Sequence, residues 1–269
     1  YAGNRMSQLL CQNDSFGIPR LGEPEQVAAI TPEGLHRHYL RMLGESPVEV
    51  FYVGSLEPNR VAAALQSLFS GIDRNYVNLP EQTGFRPAPY REETEVMDVT
   101  QGRLCMGFSS PITLRCEDFA PMQVFNTVFG AGMTSKLFMQ VREKMSLCYD
   151  IGSSFHGSKG IMTVAAGIEF EKKQIVQDEI LHQLREICDG NITADELTAA
   201  KEALLSSLRG IHDSPASIES YYSTHALSGT FRSPQQYMDE IRAVTLDSVI
   251  AAAGTVALHT TYFLRGAEK

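Results

Sequence analysis

Residues 129–149 read Phe-Gly-Ala-Gly-Met-Thr-Ser-Lys-Leu-Phe-Met-Gln-Val-Arg-Glu-Lys-Met-Ser-Leu-Cys-Tyr. A glycine-rich loop here opens a short amphipathic helix. Gly130 follows a helix-like segment, as a helix C-cap does, and Gly132 is a second loop glycine. Thr134 or Ser135 can cap the next helix. Within that helix Leu137, Phe138, Val141 and Met145 share one face at helical spacing, and Arg142 falls at its rim. Two phosphate-loop readings fail. A P-loop ends in glycine, lysine, then serine or threonine, and those places hold Ser135, Lys136 and Leu137. A dinucleotide loop needs a third glycine and a preceding strand; Ser135 takes the glycine's place, and the segment before it is helical in pattern.

Outward from this stretch the chain reads as α+β. Upstream, Asp118 starts a helix with Phe119, Met122, Phe125 and Phe129 inward, behind strand-like runs at 95–99 and 103–108. Downstream, 149–155 and 160–168 are strand-like, joined by a hairpin at 156–159. Helices follow over 171–188, from a capping box Thr193–Glu196, from Ser233-Pro234 and from Thr245; a last strand spans 260–264. Strands come in pairs and helices in runs, so the sheet is expected to be largely antiparallel, with helices packed on one face.

The first part of the chain is organised differently. Met6, Leu9 and Leu10 mark the tail of a helix. Thr31-Pro32-Glu33 starts a helix, 48–53 is a strand rich in β-branched and aromatic residues, and a further helix carries Val61, Leu65, Leu68 and Phe69. Proline- and glycine-punctuated sequence then separates two regions. The expected division is 1–75 as a helix–strand–helix tail, 76–92 as a linker and 93–269 as an α+β unit. Ile30-Thr31 through Val53 and Val244-Thr245 through Leu264 both run from an apolar residue and threonine into a helix, then a strand, which is a weak internal repeat.

At 269 residues the chain buries enough surface to need no disulfide or metal for stability. A net charge of −9 argues against a general nucleic-acid binder. No apolar run is long enough to cross a membrane as a helix, and no signal peptide opens the chain. Five scattered cysteines, none in C-x-x-C spacing, fit reduced thiols in a cytoplasmic protein. The first residue is Tyr1, so the segment reads as part of a longer chain.

No H-E-x-x-H or H-x-x-E-H occurs, and the seven histidines do not cluster at metal-ligand spacing. No metal ligand and no catalytic residue is therefore expected in this segment. There is no G-x-S-x-G elbow, and nothing beside Cys148 marks it as an activated thiolate. Arg142 and Tyr149 remain. Arg142 either pairs with a neighbouring acid or grips a peptide carbonyl or carboxylate. Tyr149 either fills a strand position or donates to the same carbonyl.

Gly130-Ala-Gly132-Met-Thr-Ser-Lys-Leu-Phe138, then Arg142-Glu143-Lys144, Leu147 and Tyr149, together with Asp195-Glu196-Leu197, Ala200-Lys201 and Val244-Thr245, resemble in order and spacing the pitrilysin-like, or insulinase-like, zinc metallopeptidases. This family includes mitochondrial processing peptidases and silent relatives. The resemblance implies homologous α+β halves facing each other around a chamber. One half carries zinc; the other supplies an arginine and a tyrosine. It implies that 93–269 is the non-zinc half, with Arg142 and Tyr149 binding substrate and Gly130 and Gly132 as structural loop residues. Zinc would belong to the upstream half of the full-length protein, and the segment alone would be inactive. The implied partners are a peptide substrate, a zinc-binding half or subunit, and a possible dimer; the alternative is a silent subunit that binds peptide or scaffolds an active partner. At Met145-Ser146 and Cys148 the sequence departs from the glycine and alanine that many active members carry around the leucine.

Overall fold

The computed structural model describes residues 1–77, 85 and 88–267. The chain divides into two compact units. The larger holds 1–19, 84–211 and 225–269; the smaller holds 20–83 and 212–224.

The larger unit is built on a five-stranded sheet: β1 (Arg91–Val96), β2 (Gly102–Ser109), β3 (Asp150–His156), β4 (Ile161–Ile168) and β5 (Ala257–Arg265), in the order β1-β5-β2-β4-β3. All neighbours are antiparallel except β1 with β5. The fold is α+β and mostly antiparallel, as the pattern predicts. The 156–159 hairpin forms, and Gly160 closes it at φ +68.

Helix α1 is Ala2–Leu10, and α2 (Pro24–Ala28), α3 (Pro32–Glu45) and α4 (Pro58–Phe69) follow it. Next come α5 (Phe119–Phe129), α6 (Lys173–Cys188), α7 (Ala194–Arg209), α8 (Pro215–Leu227), α9 (Pro234–Ala243) and α10 (Leu246–Ala253). The four phenylalanine and methionine positions expected inward on α5 are all buried. The caps read from sequence are present: Thr193 and Glu196 form a reciprocal capping box, as do Thr245 and Ser248.

Strand periodicity assigns the faces. Ser153, Val164 and Met106 lie in register on the α5 side, where Ser153 Oγ bonds Asn126 Oδ1 at 2.8 Å. Gly152, Ala165, Cys105 and Tyr262 lie on the other side, where α1 buries Met6 and Leu10 against Cys105 and Tyr262. So α1 groups with the sheet and covers its second face. Met6 and Leu10 sit directly over Gly107, where any side chain would collide with them.

The smaller unit contains α2, α3, α4 and most of α8. Thr31 Oγ1 accepts from Gly34 N at 3.1 Å, as its cap position predicts. Arg74 donates to Leu43 O and Ser46 O at 2.8 and 2.9 Å, which satisfies carbonyls at the end of α3. The strand expected over 48–53 does not form. A strand needs a partner for its backbone groups, and 48–53 joins no ladder among the described residues. Val48, Val50 and Tyr52 remain exposed, as do Leu35, Tyr39 and Leu40 on α3. Most of the expected linker at 76–92 lies outside the described residues, while Arg91 and Glu92 already belong to β1.

Buried electrostatics tie the helices down. Lys136 Nζ meets Glu196 Oε1 at 2.9 Å, with the two side chains 10% and 25% exposed. Burial opposes ionisation of Glu196, but the Thr193 N–H and the Lys136 ammonium outweigh it and hold the carboxyl below its usual range. The resulting stabilisation is complete above the unfolded carboxyl value and is lost as pH falls through the lower folded value. Glu196→Gln should therefore be less stable than the parent by about 1–3 kcal/mol near neutrality. The gap should close in strong acid, as read by urea unfolding at a series of pH values.

Candidate functional site

The loop after α5 is fixed by backbone. Gly130 N donates to Asn126 O, closing α5, and Gly130 O accepts from Ser153 N at 3.0 Å on the outer strand β3. A side chain at Gly130 would stand 2.6 Å from Ser153 Oγ, so only glycine lets the loop lie this close. Gly132 has φ +144, a conformation that L side chains rarely adopt. Ser135 Oγ donates to Gly132 O at 2.7 Å and accepts from Phe138 N at 3.4 Å, so of the two candidate caps it is Ser135 that folds the loop.

The helix that follows is not an α-helix. Leu137–Lys144 is an eight-residue π-helix. Such segments are rare and cluster at functional sites. Its wider turn keeps Leu137 and Val141 buried but carries Met145 off the apolar stripe, leaving it 39% exposed where the helical spacing placed it inward. The chain then turns sharply. Met145 N bonds Gln140 O and Leu147 N bonds Val141 O, both at 3.0 Å, and Ser146 adopts φ +51.

This turn brings Arg142 and Tyr149 together. Arg142 Nε donates to Tyr149 O at 2.9 Å, its Nη1 lies 3.3 Å from Glu143 Oε1, and its guanidinium stacks over the Phe138 ring at 4.6 Å. Arg142 does pair with a neighbouring acid, yet its side chain stays 38% exposed. Tyr149 immediately precedes β3 and is 58% exposed. Both line a pocket of about 390 Å³ with Glu143, Cys148, Glu169 and Lys172. Burial pushes the Cys148 thiol up to about 11, with Asp150 adding to the rise, so it is a poor nucleophile near neutrality.

Beyond Tyr149, Asp150 takes Arg103 Nη1 on both carboxylate oxygens, at 2.8 and 2.6 Å. The pair reaches across β4 because Gly167 stands between them in register and has no side chain to block it. Lys172 and Glu169, which line the same pocket as Arg142, have no local signal in the sequence. They arrive from the β4–α6 connection. Ser146 adopts a left-handed φ of +51 that its residue type does not announce.

Among the described residues no three His, Cys, Asp or Glu side chains converge. These residues therefore offer no ligand set for zinc, and no chemistry is derived through it. No helix among them is long and apolar enough to cross a membrane. The five cysteines are free thiols.

The larger unit is a mostly antiparallel α+β fold in which a glycine loop leads to a pocket lined by Arg142 and Tyr149. The sequence profile of the peptidase M16 inactive domain matches residues 29–204, and the chain belongs to that family. The Bacillus subtilis protein named probable inactive metalloprotease YmfF is 28% identical over 268 residues, covering 100% of this chain and 63% of that protein. An uncharacterized zinc protease of Rickettsia bellii is 25% identical over 254 residues, covering 91% of this chain and 60% of the relative. A conserved protein from Enterococcus faecalis superposes with a TM-score of 0.90 at 26% identity, over 100% of this chain and 64% of that one. The peptidase M16 inactive domain from Pseudomonas fluorescens superposes at 0.84 with 18% identity, over 99% of this chain and 65% of that one, and shows the fold alone. The chain thus spans somewhat under two thirds of the length of these relatives.

The left-handed turn is testable. Ser146→Gly should hold or raise stability, because a non-glycine residue in this region costs about 1–2 kcal/mol. Ser146→Val, whose branched side chain fits the region worse, should lower it by about 1–3 kcal/mol. Thermal melts of the two variants read the difference.

Proposed function

We propose that this chain is the substrate-binding, non-zinc half of a zinc-dependent endopeptidase, without hydrolytic activity of its own. The observation that carries the reading is the Arg142–Tyr149 pair. The guanidinium is held by a backbone carbonyl, a carboxylate and an aromatic face at an open pocket, beside an exposed tyrosine. A pre-oriented arginine and a phenol suit the carbonyl oxygens of a bound peptide, since neither must be reorganised when the ligand arrives. Gly130 and Gly132 serve this site as loop residues. The zinc belongs to a homologous half, in line with the zinc-protease names of relatives.

Residues 20–77 fit the tail of that homologous half. Their helices carry apolar side chains on the surface, and 48–53 has the β-branched and aromatic composition of a strand without a ladder partner among the described residues. Such a surface suits burial against further α+β structure. A second reading, a silent subunit that binds peptide or scaffolds an active partner, is favoured by the inactive-metalloprotease name of the Bacillus relative.

Arg142→Ala and Tyr149→Phe should each weaken binding of an unstructured fluorescent polypeptide by about tenfold, the scale of one charge-assisted hydrogen bond. Far-UV circular dichroism should not change. Wild-type affinity in both variants would sink the reading. Cleavage assays of the whole protein with and without added zinc separate the two readings: turnover supports the peptidase half, and binding without turnover supports the silent subunit.

A further inference from the structure

We propose that Lys172 is a positioning residue for the Arg142–Tyr149 pair, acting by holding the Ser146 carbonyl; the inference rests on the peptide-binding reading above. The turn at 145–148 is the joint between the π-helix and β3, and it decides where Tyr149 stands relative to Arg142. Its backbone is supported on three sides. Met145 N and Leu147 N bond back to the π-helix, and Tyr149 N bonds Gly167 O at 2.8 Å on β4. The Ser146 peptide faces the pocket side, in a left-handed conformation that a non-glycine residue adopts only when its surroundings impose it.

The group that reaches the Ser146 carbonyl comes from a second segment that lines the pocket, the β4–α6 connection. Lys172 ends a short 3₁₀ turn, Phe170–Lys172, that follows β4. Its ammonium lies 3.4 Å from Ser146 O and 3.0 Å from Glu169 Oε1. Glu169 aims the ammonium, and the ammonium ties the turn to the β4–α6 connection. Two chain segments that line the pocket, 142–149 and 169–172, are therefore joined through one side chain. The Lys172–Glu169 pair is half-exposed, so as an ion pair it adds little to global stability. A role in stability alone does not account for its reach to the carbonyl. Nor does direct capture of an acidic ligand, because Glu169 already neutralises the charge.

The test uses the intact protein with Lys172→Met, which keeps an unbranched stem but loses the charge, and Lys172→Arg, which keeps a donor. Fluorescein-labelled β-casein is the binding probe, read by anisotropy. Amide hydrogen exchange is followed at Leu147 and Tyr149, with β5 as an internal reference. Lys172→Met is expected to weaken casein binding by about threefold to tenfold, the scale of coupling between neighbouring residues. It should also speed exchange at Leu147 and Tyr149 but not in β5. Lys172→Arg should return both readouts toward the parent. Parent-like exchange or affinity in Lys172→Met, measured where Arg142→Ala does weaken binding, overturns the role of Lys172 and leaves the Arg142–Tyr149 site standing. Casein binding that is insensitive to Arg142→Ala and Tyr149→Phe overturns the site reading and, with it, this proposal.

Discussion

The bond from Ser153 N to Gly130 O joins the loop after α5 to the outer strand of the sheet, and the candidate site hangs from it. The missing side chain at Gly130 lets two backbones meet where any β-carbon would collide. With these ends fixed, the chain between them must leave the loop, make a helix and return to the strand in a short path. A helix of ordinary pitch is replaced by a wider one, and the return is made through a left-handed serine. The Arg142–Tyr149 contact lies inside this closed segment.

Around that segment the protein uses few but well-placed polar contacts. Lys136 and Glu196 pin the entrance of the π-helix to the start of α7. From the β4–α6 connection, Lys172 reaches the turn at its exit. Arg103 and Asp150 brace the first residue of β3 across a glycine in β4. Each contact links residues far apart in sequence, so together they order a pocket that local structure alone would leave loose.

The two units contrast in how they use apolar residues. In the larger one, α1 closes one sheet face and α5 packs on the other with α6, α7, α9 and α10 around it, leaving a buried interior of Leu104, Met106, Phe108, Phe125 and Phe129. In the smaller one α2, α3 and α4 have no buried residues, and their apolar positions lie at the surface. The amphipathic pattern is equally clear in both. Burial requires a partner surface, and a pattern cannot supply one.

The sequence by itself determined the class of fold, the helix caps, the inward face of α5, the hairpin before Gly160 and the glycine loop. These depend on local backbone chemistry or on periodicities of a few residues, which a chain displays without its neighbours. Arg142 and Tyr149 were singled out in the same way, through residue type and spacing. Tertiary structure decided the rest. The π-helix, bonded to the sheet only beyond its ends at Gly130 and Tyr149, is not announced by residue type, and apolar spacing read at α-helical pitch misplaces Met145. The strand over 48–53 fails because a ladder is a property of two segments. Lys172, Glu169 and the Arg103–Asp150 pair were illegible because only the β4 register and the β4–α6 connection bring them to the pocket.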